Sequence, residues 1–148
     1  MSDFEQLGRS ISEVDDVMNA WIKKLGLNYS QFAVLYSLAS SPNKQCTQKH
    51  ICEEWLLPKQ TVFNVCKEYK EIGWIVFSES AIDKRERILN LTEEGISQAE
   101  VILQATTIMS KKTFNHFGEK KTVQLFRLLE EFCLICREQI NETNIGNK

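Results

Sequence analysis

The chain has 148 residues, 43% of them hydrophobic, and a formal net charge of −2, which excludes a disordered polymer and a strongly basic protein that holds nucleic acid by bulk charge. No run approaches the roughly 18 apolar residues of a membrane helix, and the opening "MSDFEQLGRS" lacks the basic-then-apolar profile of a secretory leader. A cytoplasmic protein of one domain, without a membrane partner, is therefore expected. The five cysteines, at 46, 52, 66, 133 and 136, form no paired framework and are expected as thiols in a reducing compartment.

Phe4, Leu7, Ile11, Val14, Met18, Trp21 and Leu25 recur at steps of three and four, which puts one apolar seam along a long first helix. Its partner surface is either the rest of the chain or a second copy. After Gly26, "NYSQFAVLYSL" begins a second helix with Asn28 as N-cap and Gln31 as its capping-box partner; Pro42 and Asn43 end it. Thr47 is placed to cap a short third helix through "QKHICEEW", and Pro58 suits the first turn of a fourth.

The fourth helix, about 58–72, turns Val62, Val65, Cys66, Tyr69 and Ile72 to one side and Lys59, Gln60, Asn64, Lys67 and Glu71 elsewhere. Gly73 then stops it in the left-handed conformation. "WIVFS" is predicted as a strand from its β-branched and aromatic content, with 88–91 as its return partner and a charged loop over 79–87 between them. Thr92 caps a fifth helix to about Phe117, with Glu93 and Glu94 at the positive end of its dipole. Gly118 breaks the chain before a last helix over about 119–140, which is apolar around most of its circumference and so calls for burial on two sides. The tail "NETNIGNK" is polar and expected to fray.

Charge by segment is more informative than the total: residues 1–43 carry −2, residues 44–91 carry +1 from eight basic and seven acidic side chains, and residues 92–148 carry −1. Any DNA contact must then come from local clusters. The strongest is "DKRER" at 83–87. An isolated charge run is ordinarily a solvated loop, but this one lies between two strands and downstream of an amphipathic helix that opens with Lys-Gln-Thr.

The order helix, short helix, helix, strand, charged loop, strand is that of a winged helix-turn-helix, where one helix enters the major groove and a hairpin reaches the adjoining backbone or minor groove. "LPKQTVFNVCKEYKEIGWIV" followed by "DKRERILNLTEEG" resembles the MarR family of bacterial transcription regulators, whose wing carries Asp-x-Arg, a Leu-Thr pair and a Gly in the register of Asp83, Arg85, Leu91, Thr92 and Gly95. The resemblance extends over nearly the whole chain. It implies a mainly α fold in a single chain over 1–148: a winged helix-turn-helix lobe at 28–91 with a small antiparallel β-hairpin wing, dimerisation helices at 1–27 and 92–141, and a flexible tail at 142–148.

The resemblance further implies Arg85 as the arginine entering the minor groove, Asp83 as the acid that holds the wing's shape, and Lys84 and Arg87 as phosphate contacts. Lys59, Gln60, Thr61 and Asn64 would meet base edges, with Lys67 beyond them; Gln and Asn amides suit adenine and Lys suits guanine. Phe63 stands where the family commonly has a polar residue, and contact with a thymine methyl and inward packing are both open. The implied function is a homodimeric repressor on a double-stranded DNA operator, joined through residues such as Phe4, Leu7, Ile11, Val14, Leu129, Phe132 and Cys136. A small organic effector would sit between dimer helices and DNA-binding lobes, where Trp21 and Tyr36 are candidate lining, their bland alternative being plain core.

Two other readings are weighed. The near-neutral charge of 44–91 suits a winged-helix protein-interaction module that has lost DNA binding. A thiol-based redox regulator is the other: some regulators of the family sense oxidants through a cysteine in the first helix, which has none here, so this reading is disfavoured, while the C-terminal thiols keep it open. Cys133 and Cys136, three apart on an apolar helix, fit small buried hydrophobes. With two isolated histidines and no second ligand pair, no metal site is implied; no cofactor is implied, and no phosphate loop or nucleophile elbow suggests an enzyme.

Overall fold

Ser2 opens the first helix by a reciprocal cap: its hydroxyl accepts the Glu5 N–H while the Glu5 carboxylate accepts the Ser2 N–H. Helix α1 then runs Asp3–Lys24. The computed structural model describes residues 1–146, and the chain divides into two compact units, 1–105 and 106–148. Gly26, at φ +78°, reverses the chain into α2, Tyr29–Ser40, whose Asn28–Gln31 capping box forms as the residues require.

In the first unit α2 is the central element, because it is apolar on nearly every side: Phe32, Ala33, Val34, Leu35, Leu38 and Ala39 are all buried. Against it pack Ile51 of α3 (Gln48–Trp55), Val62, Val65, Cys66 and Tyr69 of α4 (Lys59–Glu71), and Ala99 of α5 (Glu93–Phe117). Each fully buried aliphatic side chain contributes about 1.5–3 kcal/mol. The stripe expected on α4 holds except at Ile72, which is 49% exposed; as the C-cap residue it lies past the last full turn, where the chain leaves the helix direction.

The sheet has three antiparallel strands in the order β1-β3-β2. Strands β2 (Ile75–Glu79) and β3 (Arg87–Leu91) form the hairpin, in a register that sets Phe77 opposite Leu89 and Glu79 opposite Arg87. Strand β1, Gln45–Thr47, was not foreseen. It is three residues long and has no alternating pattern, and only its pairing with Ile88–Asn90 makes it a strand. Lys44, just before it, is tied inward, its ammonium bonded to the Ala39 carbonyl at 2.6 Å and to Glu100 at 2.9 Å.

Leu56 and Gly95 are among the backbone positions under special constraint. Leu56 closes α3 in the left-handed region (φ 51°, ψ 48°) with its side chain left 88% exposed, a conformation that costs a residue with a Cβ about 1–2 kcal/mol. Gly95, in the first turn of α5, faces the turn between α4 and β2 so closely that a Cβ there would lie 2.0 Å from the Trp74 carbonyl oxygen. Around this contact Thr92 accepts the Gly95 N–H, donates its hydroxyl to the Gly73 carbonyl at 2.6 Å and donates its own N–H to the Trp74 carbonyl at 2.9 Å. Gly73 adopts φ +83°, and the Trp74 ring stacks on Tyr69 at 5.2 Å.

In the second unit, α5 ends at Gly118 (φ +107°) and α6 runs Glu119–Glu142. Thr122 donates its hydroxyl to the Gly118 carbonyl, and the Phe114 and Phe126 rings meet at 5.7 Å. No residue of α6 is buried, although the helix carries Val123, Phe126, Leu128, Leu129, Phe132, Leu134 and Ile135. Burial on two sides, expected from its composition, is thus not supplied within the chain. Residues 143–146 have no regular structure, and the rest of the expected tail, 147–148, lies outside the described residues.

Opposite shifts are expected at Leu56 and Gly95. Gly95→Ala lowers stability by about 3 kcal/mol, because backbone and not a flexible side chain must give way. Leu56→Gly raises it by up to about 1 kcal/mol. Urea titrations followed by far-UV circular dichroism measure both; a Gly95→Ala midpoint equal to the parent's would show that the close approach is not a constraint.

Candidate nucleic-acid interface

The outer face of α4 is built by subtraction. With Val62, Val65, Cys66 and Tyr69 committed to the core, helical geometry leaves Lys59, Gln60, Phe63, Asn64 and Lys67 exposed, while Thr61 is half-buried at the edge of the face. Gln60 Nε2 donates to Asn64 Oδ1 at 2.9 Å, the i, i+4 pairing that a helix brings within reach. The clasp uses one donor of Gln60 and one acceptor of Asn64, and leaves the Gln60 Oε1 acceptor and the Asn64 Nδ2 donor for other partners. Phe63 is 40% exposed among these polar side chains, between Lys59 and Lys67.

The wing tip is an ordered loop. Ser80 Oγ accepts the N–H groups of Ile82 (3.2 Å) and Asp83 (3.3 Å), and its own N–H donates to the Glu86 carbonyl; Glu86 in turn donates to the Asp83 carbonyl. Asp83 Oδ1 accepts the Arg85 backbone N–H at 3.0 Å and its Nε at 3.4 Å. One carboxylate therefore sets both the turn and the root of the guanidinium, whose side chain is 93% exposed. Lys84 is exposed beside it. Ser80 was missed as a framing residue; a Ser three residues ahead of an Asp at a strand end is its signal, since a hydroxyl there can take up loop N–H groups.

Arg87 is placed differently from Lys84 and Arg85. It begins β3, and its guanidinium lies 5.4 Å from the Phe77 ring centre, with the Lys70 ammonium 5.0 Å from the same ring. An aromatic face attracts cations through its quadrupole, so Phe77, midway along the hairpin, holds two positive charges beside it. Asn90 Nδ2 donates to Ser78 Oγ across the hairpin at 3.0 Å.

Tyr36 lines an open cavity of about 240 Å³ with Ser37, Ser40, Ser41, His50, Glu54 and Trp55, and Trp21 is not among its lining. Trp55 donates Nε1–H to Ser37 Oγ at 2.7 Å and sits edge-on to Tyr29, Phe32 and Tyr36. The candidate dimer residues Phe4, Ile11, Val14, Leu129 and Phe132 are exposed, and Leu7 and Cys136 half-buried. No three His, Cys, Asp or Glu side chains among the described residues converge to hold a metal ion.

Two thiols of this lobe, Cys46 and Cys66, are held protonated by burial. Burial pushes Cys66 up to about 12, with the nearby Cys46 and Cys52 adding to the shift; burial likewise raises Cys46 to about 11, partly offset by a hydrogen bond from Ser41. Protonated thiols are poor nucleophiles.

The sequence model of the MarR family matches residues 25–86. The MarR family regulator NMB1585 from Neisseria meningitidis is 40% identical and superposes with a TM-score of 0.86, over 97% of this chain and 100% of that one. The chain belongs to the MarR family. As a MarR family transcriptional regulator it is also 26% identical, over 116 residues and 78% of its length, to the HTH-type transcriptional regulator Hpr of Halalkalibacterium halodurans, and spans 58% of that relative's length. Reduced AbfR bound to DNA is a further structural relative, with a TM-score of 0.64 and 26% identity over 87% of this chain and 93% of that one.

Because the folded-state values of Cys46 and Cys66 lie above the ordinary thiol value of 9.0, their contribution to stability is complete below about pH 9 and lost as pH rises toward 11–12. Thermal midpoints are thus expected to fall steadily above pH 9. In the native protein at pH 8, iodoacetamide should spare Cys46 and Cys66 until denaturant is added; intact-protein and peptide mass spectrometry would show native labelling at either if their burial were not maintained.

Proposed function

We propose that this protein is a homodimeric, sequence-specific double-stranded DNA-binding regulator, acting as a ligand-responsive repressor. The observation that carries the reading is one lobe presenting two chemically distinct reading devices: the clasped amides of α4 between Lys59 and Lys67, and an exposed Arg85 held on a hydrogen-bonded wing. The first suits base edges in a major groove, the second a minor groove or backbone. The structural relative AbfR, described as bound to DNA, supports the same use of the fold.

In this reading Lys59, Gln60, Thr61 and Asn64 meet bases, Lys67, Lys84 and Arg87 meet phosphates, Arg85 enters the minor groove, and Asp83 positions it. Dimerisation runs through helices in 1–27 and 92–141. Its support is the apolar exposure left on α1, where Phe4 alone is 82% exposed, and along α6; contiguous apolar surface of this kind marks an interaction site. Two copies then set the spacing of the half-sites. A small organic effector acts only through its different affinity for the two arrangements of those heads, and the cavity beside Tyr36 is the proposed place for it.

The charge of +1 over 44–91 favours one second reading, a protein-interaction module without DNA binding. Salt dependence separates the two, since each phosphate contact releases counterions. A duplex selected from a random library should bind with an affinity that falls steeply as salt rises. Arg85→Ala should weaken binding across sequences and lower the salt slope by about 1, whereas Asn64→Ala should cost about 1–3 kcal/mol at particular base pairs. Parent-like titrations for both variants would remove the site assignment. Sedimentation should give twice the chain mass at micromolar concentration; a monomer there would remove the dimer.

A further inference from the structure

On the reading above, we infer that Phe63 is a specificity-determining residue that packs on the C5-methyl group of a thymine next to an adenine held by the Gln60–Asn64 clasp. The inference starts from a position with no role in the fold. Val62, Val65, Cys66 and Tyr69 fill the inner side of α4, and Phe63 stays 40% exposed on the other. At about 100° per residue, Phe63 lies about 60° around the helix from Gln60 and about 40° from Lys59 and from Lys67. The ring therefore lies between Lys59 and Lys67, with both amides to the Lys67 side, and is the apolar member of a face otherwise made of amides and ammonium groups.

The major groove offers one apolar group, the thymine methyl, among its donors and acceptors. The clasp fixes what lies beside it. With Gln60 Nε2 already donating to Asn64 Oδ1, the pair retains an acceptor on Gln60 and a donor on Asn64, the two functions that the N6 amino group and N7 of adenine call for. An adenine at the clasp thus brings its neighbouring step under the Phe63 ring. A methyl on that step loses water against the ring; a bare pyrimidine edge leaves the ring partly wet.

Replacing thymine by deoxyuridine, one position at a time in a selected half-site, removes the methyl without altering base pairing. Binding by the unaltered protein is expected to weaken about fourfold at one such position per half-site, the value of one buried methylene-sized group. Phe63→Ala should bind the thymine and deoxyuridine duplexes equally, and Phe63→Leu should retain part of the difference. The inference is overturned if the unaltered protein tolerates deoxyuridine at every position, which needs no variant to fold, or if the penalty persists in Phe63→Ala. Failure to select any duplex would overturn the DNA-binding reading with it, whereas tight binding without a methyl penalty overturns this inference alone.

Discussion

The contact between Gly95 and the Trp74 carbonyl is the constraint on which the geometry of the lobe depends. It lets the first turn of α5 rest on the turn joining α4 to β2, and Thr92 then spends its backbone N–H and its hydroxyl on that same turn. One end of the hairpin is thereby fixed to the end of α4, and Tyr69 stacked on Trp74 completes the joint. The fixed relation of α4 to the hairpin thus rests on a missing Cβ and two hydrogen bonds from Thr92, at 2.6 and 2.9 Å.

Charge in this lobe is organised by placement. Lys44 is drawn inward to Ala39 and Glu100, and Lys70 and Arg87 lie over Phe77. Lys59, Lys67, Lys84 and Arg85 stay exposed on α4 and the wing. A segment whose formal charge is only +1 therefore still presents four cations on one helix face and one loop, with Asp83 holding Arg85.

The apolar residues of α1 and α6 follow another logic. A single chain of this size can bury one good core, and it does so around α2. The seam of Phe4, Ile11 and Val14 and the broad apolar surface of α6 are left over. Exposed apolar surface of this extent marks an interaction site.

The helices, their caps and the family were legible in the sequence itself. Ser, Asn and Thr act on N–H groups two or three residues away, and the three-and-four spacing of apolar residues reports a local geometry, so Asn28, Thr47, Thr92, Gly73 and the inner stripe of α4 were all in place before folding was considered. Other features depended on residues far apart in the chain. Strand β1 exists through its pairing with β3, Phe63 faces outward since four other residues of α4 already fill the core, and Arg87 leaves the loop tip because Phe77 stands across the hairpin. Local patterns fix what a residue does to its own turn; only the packed fold decides which atoms remain for a partner, since exposure is set by everything that reached the core first.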